Sequence, residues 1–282
     1  MKSYLEVRIS APEDLRELLL PALGELGSCG FLEEEENLTA YFPLSGDAVS
    51  DAAFRAELLR ILRTFSANAS VTLNEISDRN WNAAWERSLA PVEIGRRLVI
   101  KPSWTGYDNR SGRQIVLIDP KMSFGTGYHE STRLILELLE HHIRPGASVI
   151  DVGTGTGVLA IAAVLLGAAA AEGIDIDEWS LANGRENILQ NNVADRVTIS
   201  DRPLPSFGDG AADLVMANIL RATLLDMLPE FHRILRPGGV LLLSGLLQNE
   251  RTVMLEALAR HGFQLREELA EHEWIAIGAG RS

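Results

Sequence analysis

The residue types most able to do chemistry lie in Asp151-Val152-Gly153-Thr154-Gly155-Thr156-Gly157, in Asp175 twenty-two residues beyond Gly153, and in Asn218 of Ala217-Asn218-Ile219-Leu220. Gly153 and Gly155 allow a tight turn and a close main-chain approach, so backbone N–H groups at a helix start can meet a ligand. Asp175, ending the next strand, can accept both hydroxyls of an adenosine ribose, a reading preferred over a plain strand-end carboxylate. Asn218 falls where ligands of open α/β sheets sit, with an Asx turn as the alternative. The dinucleotide pattern G-x-G-x-x-G is not met, because Gly157 comes one residue early and Val158 holds the third glycine's place. A phosphate-binding P-loop needs Gly-Lys-Ser/Thr, and no lysine follows Lys121. Asp151, ahead of the glycines, would repel a pyrophosphate and suits a cofactor with a cationic amino-acid end.

Such residues need a parallel sheet to hold them at one edge. From residue 147 onward the pattern predicts strands over 148–152, 171–176, 196–200, 212–219 and 240–244, and helices over 158–166, 178–191, 222–235 and 250–261. A turn at Pro237-Gly238-Gly239 precedes the fifth strand, and an antiparallel hairpin over 263–268 and 273–277 closes the chain. The expected fold class is α/β: a Rossmann-like sheet covered on both faces, with ligands at the carboxyl ends of its strands and a C-terminal antiparallel hairpin. Ahead of it, residues 4–9, 31–35, 38–42 and 71–76 read as strands, with helices through Leu15, Leu18, Leu19 and Leu23 and through Phe54, Leu58 and Leu62. That βαββαβ order predicts a small α+β ferredoxin-like domain over 1–77, followed by a linker over 78–104 and a catalytic domain over 105–282. Trp81 and Trp85 share a helical face in the linker and are read as domain-packing aromatics rather than a ligand platform.

The 282 residues carry 26 Lys plus Arg against 39 Asp plus Glu, a net charge of −13. That balance disfavours nucleic acid and anionic membranes and favours a basic protein partner. Residues 1–80 hold fourteen acidic and seven basic side chains, a net −7, with a run at Glu33 to Glu36 that otherwise solvates a hairpin. A single cysteine, Cys29, excludes an internal disulfide or a Cys-based zinc site and is read as a small buried residue. No signal core opens the chain and no long apolar run marks a membrane span, so a cytoplasmic monomer is expected.

The acidic residue, the three glycines and Asp175 together resemble the class I S-adenosylmethionine-dependent methyltransferases. Met122-Ser123-Phe124-Gly125-Thr126-Gly127-Tyr128-His129-Glu130-Ser131-Thr132 upstream, Ala217-Asn218-Ile219-Leu220 downstream, and Trp81, Trp85, Pro91, Arg97-Leu98 and Pro102-Ser103-Trp104 in the linker sharpen the likeness. Over residues 78–280 the chain resembles the ribosomal protein L11 methyltransferase family (PrmA). The resemblance implies a cytoplasmic enzyme, with S-adenosyl-L-methionine as cofactor, that trimethylates amines of a large-subunit ribosomal protein recognised through the N-terminal domain. By motif, Thr132, Gly153, Asp175 and Asn218 are the implied cofactor contacts; for Thr132, capping or facing a helix over 131–142 is the alternative. Gly155, Asp151, Gly125 and Thr126 complete the expected cofactor site, and no metal is expected. Tyr128 and Glu130 stand where the family often has Thr and Pro.

Methyl transfer from a sulfonium is an in-line displacement that asks the protein mainly to align the reacting groups. A lysine amine, with a pKa of about 10.4, must also be neutral to attack. Phe124 and the Gly125-Thr126-Gly127 turn are expected to wall the cofactor, while Asn218 and the backbone after it orient the amine. His129 is read as structural rather than as a general base, and His141 and His142 as partners of a helix dipole rather than metal ligands. Two other functions fit the same residues: a class I methyltransferase acting on another protein lysine or a small molecule, and a cofactor-binding interaction protein without turnover. Asn218-Ile219-Leu220-Arg221 lacks the prolines of the Asn-Pro-Pro-aromatic motif of nucleobase amine methylation.

Overall fold

The computed structural model describes residues 3–12, 15, 16, 19, 22–24, 26–33, 37–65, 70–77, 89–119, 125 and 127–282. The chain divides into two compact units, residues 1–88 and 89–282. In the first, β1 (Ser3–Ser10), β2 (Gly30–Glu33), β3 (Asn37–Pro43) and β4 (Ser70–Ser77) form an antiparallel sheet in the order β2-β3-β1-β4. Period-two alternation puts Leu5, Val7 and Ile9 of β1 on one face, opposite Phe42, Ala40 and Leu38 of β3. Leu19 and Leu23 cover that face together with Leu58 and Leu62 of α1 (Ala48–Phe65), giving this unit its own apolar core. Strand order and connections are those of a ferredoxin-like sandwich. Cys29 is exposed rather than buried: it lies in the turn before β2, where its Sγ faces the Tyr41 carbonyl at 3.2 Å, so loop position overrides its apolar preference. Leu18, Glu34 to Glu36, Trp81 and Trp85 fall outside the described residues.

In the second unit, part of the stretch read as a linker is built into the fold. β5 (Val92–Ile94), β6 (Leu98–Lys101) and β7 (Gln114–Leu117) form a small sheet. Strands of three and four residues carry too few alternations to declare themselves in sequence. This sheet packs its Ile94, Leu98, Ile100 and Val116 into the core that also buries Leu134, Ile135, Leu138 and Leu139 of α2 (Glu130–His142). At its far edge the Asn191 side chain pairs with both main-chain groups of Leu117, at 2.8 and 2.7 Å.

The large sheet runs β10-β9-β8-β11-β12-β14-β13, with β8 (Ser148–Val152), β9 (Ala170–Ile174), β10 (Val197–Ser200), β11 (Ala212–Asn218) and β12 (Leu235–Leu247) parallel. The final hairpin, β13 (Phe263–Glu271) and β14 (Trp274–Arg281), is antiparallel, and β14 inserts beside β12. β12 absorbs the expected turn at Pro237 to Gly239, because a register shift between Ala212 and Leu214 of β11 lets the bulging segment stay paired. Alternation along each buried strand feeds two cores. Val149, Leu214, Met216 and Leu242 face α2, α3 (Val158–Leu165) and α4 (Glu178–Gln190), whereas Ile150, Val215, Leu241 and Leu243 face α5 (Arg221–Ile234) and α6 (Arg251–Arg260).

Helix α2 carries Thr132 at its start and is tied to the small sheet at its other end. There the Glu140 carboxylate accepts from Arg96 N at 2.9 Å and Arg97 N at 2.9 Å, closing the β5–β6 turn. Glu140→Ala is expected to cost about 1–2 kcal/mol, since these are charge-assisted bonds in a turn open to water. Urea unfolding checks this, with Glu140→Gln expected to lose less than Glu140→Ala.

Candidate active site

The carboxyl ends of β8, β9, β11 and β12, the start of α2 and the first residue of β14 surround a cleft of about 650 Å³. The glycine loop between β8 and α3 forms its floor. Gly153 (φ +72°) and Thr154 both donate main-chain N–H bonds to the Ile174 carbonyl, at 2.9 and 3.0 Å, locking the loop to the end of β9. Gly155 N donates to Asp175 Oδ2 at 2.9 Å, and Asp177 N donates to Asp175 Oδ1 at 3.1 Å. Asp175 is thereby fixed at the cleft with each carboxylate oxygen retaining acceptor capacity. Ile174 and the fully exposed Ile176, which is 99% accessible, flank it, with Leu204 opposite as part of the same apolar lining.

Asp151 does not face the cleft. It is fully buried, and its Oδ2 accepts from Thr154 Oγ1 at 2.6 Å while Oδ1 lacks a hydrogen bond of full geometry. Burial pushes its pKa up to about 7, with the Thr154 hydroxyl and the Ala160 N–H pulling it down more weakly and the Asp175 charge pushing it further up. The residue expected to attract a cationic cofactor end is therefore a buried anchor beneath the loop, its charge disfavoured by burial. The parity of β8 explains it: Asp151 shares the inward face of Val149, toward α3. Gly125 also lies behind the loop, its carbonyl accepting from Thr156 Oγ1 at 2.6 Å, and it does not line the cleft. Phe124 and Thr126 lie outside the described residues.

Asn218 ends β11 on the face covered by α2. Its Nδ2 donates to Thr132 Oγ1 at 3.3 Å, its buried Oδ1 has no protein partner, and the residue belongs to the cleft lining. Thr132 itself is fully buried and meets the cleft only through Asn218, so its hydroxyl is a support rather than a surface contact. His129 is the N-cap of α2: its Nδ1 faces Ser131 N at 3.2 Å and Ser131 Oγ at 2.9 Å. Its ring meets Trp274 edge-on at 4.6 Å, and both line the cleft. Tyr128 and Glu130 take tying roles, Tyr128 donating its hydroxyl to the Ala90 carbonyl at 2.7 Å. Glu130, Glu271 and His272 form a group with metal-ligand spacing, but Arg133 already supplies its cation, 2.5 Å from Glu271. His141 and His142 both face Glu267, each at 2.9 Å, a side-chain partner rather than the helix end alone.

Sequence reasoning missed Trp274, Ser131, Leu204, Met227 and Gly245, which the fold brings to the cleft from separate elements. A signal did exist at Ser244-Gly245, where the apolar run of β12 breaks next to Asn218 in the sheet register.

The cleft fits a nucleoside bearing an amino acid. It has an apolar strip for a flat base, a carboxylate for ribose hydroxyls and a glycine at Gly153 whose Cβ would sit 2.4 Å from Ile219 Cγ2, and Asn218 adds an unpaired acceptor. Fold and cleft together define a class I S-adenosylmethionine-dependent methyltransferase. The sequence pattern of "Ribosomal protein L11 methyltransferase (PrmA)" matches residues 4–282. Relatives named ribosomal protein L11 methyltransferase include that of Pelotomaculum thermopropionicum, 34% identical over 303 residues and covering 98% of each chain. That of Anoxybacillus flavithermus is 32% identical, covering 93% of this chain and 85% of its own. The crystal structure of a ribosomal protein L11 methylase from Lactobacillus delbrueckii subsp. bulgaricus superposes with a TM-score of 0.63 at 32% identity, covering 68% of this chain and 98% of that one. The chain belongs to the ribosomal protein L11 methyltransferase family, and its methyl donor is S-adenosylmethionine.

The Asp151 environment sets a pH dependence. Its folded pKa, about 7, lies above the ordinary 3.8, so the folded chain holds this proton more tightly than the unfolded one. The corresponding stability is fully present below about pH 4 and is lost as pH rises through about 7. Asp151→Asn is expected to flatten that decline in urea unfolding between pH 5 and pH 8. An equal decline in parent and variant would refute the assignment.

Proposed function

We propose that this enzyme methylates amino groups, lysine side chains or the N-terminal amine, of ribosomal protein L11, in the cytoplasm and as a monomer. The match to the family over nearly the whole chain supports the substrate. The single observation that carries the amine as acceptor is the unpaired, buried Asn218 Oδ1 at the carboxyl end of β11. Bound S-adenosylmethionine supplies an electrophilic methyl group on a positively charged sulfur, with a neutral thioether as leaving group. Asp175 would hold the ribose hydroxyls, Gly153 and Gly155 the amino-acid end by main-chain approach, and Ile176 with Leu204 the base.

The chain's own residues then have two tasks, to orient the amine and to keep it neutral. Asn218 Oδ1 accepts an N–H from the amine and turns its lone pair toward the methyl. At pH 7 only a fraction on the order of 10⁻³ of a free lysine is neutral, so the apolar walls at Ile219, Leu220 and Met227 assist by disfavouring the charged form. Trp274 and His129 line the same cleft and exclude water beside the acceptor.

Asn218→Ala is expected to lower turnover about 100-fold, as loss of a positioned polar group does, while S-adenosylhomocysteine affinity stays within about threefold. Calorimetry and a methylation assay on recombinant ribosomal protein L11 check it. Unchanged turnover refutes the acceptor role, and affinity lost in step with turnover makes Asn218 a cofactor contact alone.

Residues 1–77 would serve as the recognition domain, with their acidic excess drawing in a basic ribosomal protein. Replacing Glu33 to Glu36 by Gln is expected to raise KM for ribosomal protein L11 several-fold at low salt and to leave cofactor affinity unchanged. Equal KM values for parent and variant would return the run to the role of a solvated turn.

A further inference from the structure

The main chain that carries Asn218 is seated by a contact that admits no side chain. Ile219, the next residue, passes between two glycines that line the same cleft, Gly153 (φ +72°) and Gly245 (φ +76°). The two approaches differ in kind. A Cβ on Gly153 would sit 2.4 Å from Ile219 Cγ2, the tip of a side chain that can rotate away. A Cβ on Gly245 would sit 2.6 Å from the Ile219 carbonyl oxygen and 3.1 Å from its carbonyl carbon and amide nitrogen, all main-chain atoms. Only displacement of the Asn218–Ile219 backbone or of β12 would relieve that clash.

β12 is poorly placed to yield. Ser244 is the sheet partner of Asn218, is fully buried, and places its Oγ 2.9 Å from the Ser131 carbonyl and 3.3 Å from the Ile275 carbonyl. One hydroxyl thus fastens β12 to the first turn of α2 and stands against β14. The same turn of α2 carries Thr132, which receives the Asn218 amide. Asn218 is therefore located from two sides, by Thr132 along its side chain and by β12 along its main chain.

We infer that Gly245 is a positioning residue for methyl transfer: its missing side chain lets the Asn218–Ile219 main chain seat against β12, and that seating places Asn218 Oδ1 at the acceptor's position. The inference rests on the proposed role of Asn218 as the acceptor-orienting group. A displacement of about 1 Å at such a group costs on the order of 100-fold in rate.

The fold supplies its own control. Gly238 lies in the same strand at the same φ of +76°, and a Cβ there meets nothing within 4 Å. Alanine at either position bears the same left-handed backbone strain, and only Gly245→Ala adds the clash. In the full-length protein, Gly245→Ala is expected to lower kcat on recombinant ribosomal protein L11 at least about 30-fold, with S-adenosylhomocysteine affinity within about threefold. Gly238→Ala is expected to keep parental kcat and, bearing the backbone strain without the clash, to lower the unfolding midpoint less than Gly245→Ala does. Equal kcat in the two variants overturns the inference, as does a kcat loss in Gly245→Ala matched by loss of cofactor affinity. Should Gly245→Ala fail to fold, Ser244→Ala decides: reduced kcat with unchanged cofactor affinity supports the inference and parental kcat overturns it. Full turnover in Asn218→Ala defeats the acceptor reading and this inference together. An inactive Asn218→Ala beside a fully active Gly245→Ala defeats this inference alone.

Discussion

The hydrogen bond from Asn218 Nδ2 to Thr132 Oγ1 is the contact on which the proposed site depends, because it engages the amide's donor within the protein and leaves its buried oxygen unpaired in a residue that lines the cleft. A buried unpaired acceptor costs about 1–3 kcal/mol, which folding alone gives no reason to keep. The architecture around it serves to hold the two partners at that distance. Asn218, ending β11, is in register with Ser244 of the adjacent parallel strand β12, and both break an apolar alternation on the face that α2 covers. Thr132 and Ser131, consecutive in the first turn of α2, receive them. Glu140 fastens the other end of the helix and Arg133 ties it to Glu271 of the last hairpin. A helix held at both ends can present a hydroxyl with little freedom, as a hydrogen bond of 3.3 Å demands.

Much of this was legible in the chain. Strands 148–152 and 212–219 and helices 158–166 and 178–191 were predicted to within two residues at each end, because a long apolar strand and a 3.6-residue repeat are strong periodic signals. Gly153, Gly155, Asp175 and Asn218, singled out in the sequence, come together in one cleft because strand ends in an open parallel sheet are where such residues meet. Asp151 was misread because its charge was weighed without its parity: on a strand covered on both faces no side chain points to solvent, and Val149 and Asp151 look the same way. Trp274 could not be anticipated, since its contribution arises only when β14 inserts beside β12. Thr132 is singled out by motif, and in the fold it lies buried behind Asn218, one side chain back from the cleft.

Two aspartates that look alike in sequence thus have opposite relations to the cleft. Asp151 is paired with Thr154 and pushed toward neutrality by burial, so it braces the loop from beneath. Asp175, half-buried and supported by two main-chain N–H groups, stands where a ligand can share its oxygens. The loop between them is fixed by main-chain bonds to Ile174 from Gly153 and Thr154, so the shape of the cofactor site belongs to the backbone and not to mobile side chains.

On the proposed reading, the choice of an amide at the acceptor position follows from the charge balance of methylating an amine. A carboxylate in an apolar cleft would stabilise the ammonium form of an approaching lysine and raise its pKa, holding the nucleophile's lone pair under a proton. An imidazole would do the same whenever protonated. An amide oxygen accepts a hydrogen bond from the neutral amine without adding charge, and the apolar lining at Ile219, Leu220 and Met227 presses the equilibrium the same way. His129, which lines the cleft, has one ring nitrogen turned to Ser131 as a helix cap. On the proposed reading, the site works by withholding charge from the acceptor, and the glycines at 153 and 245 bring an uncharged backbone close enough for that to suffice.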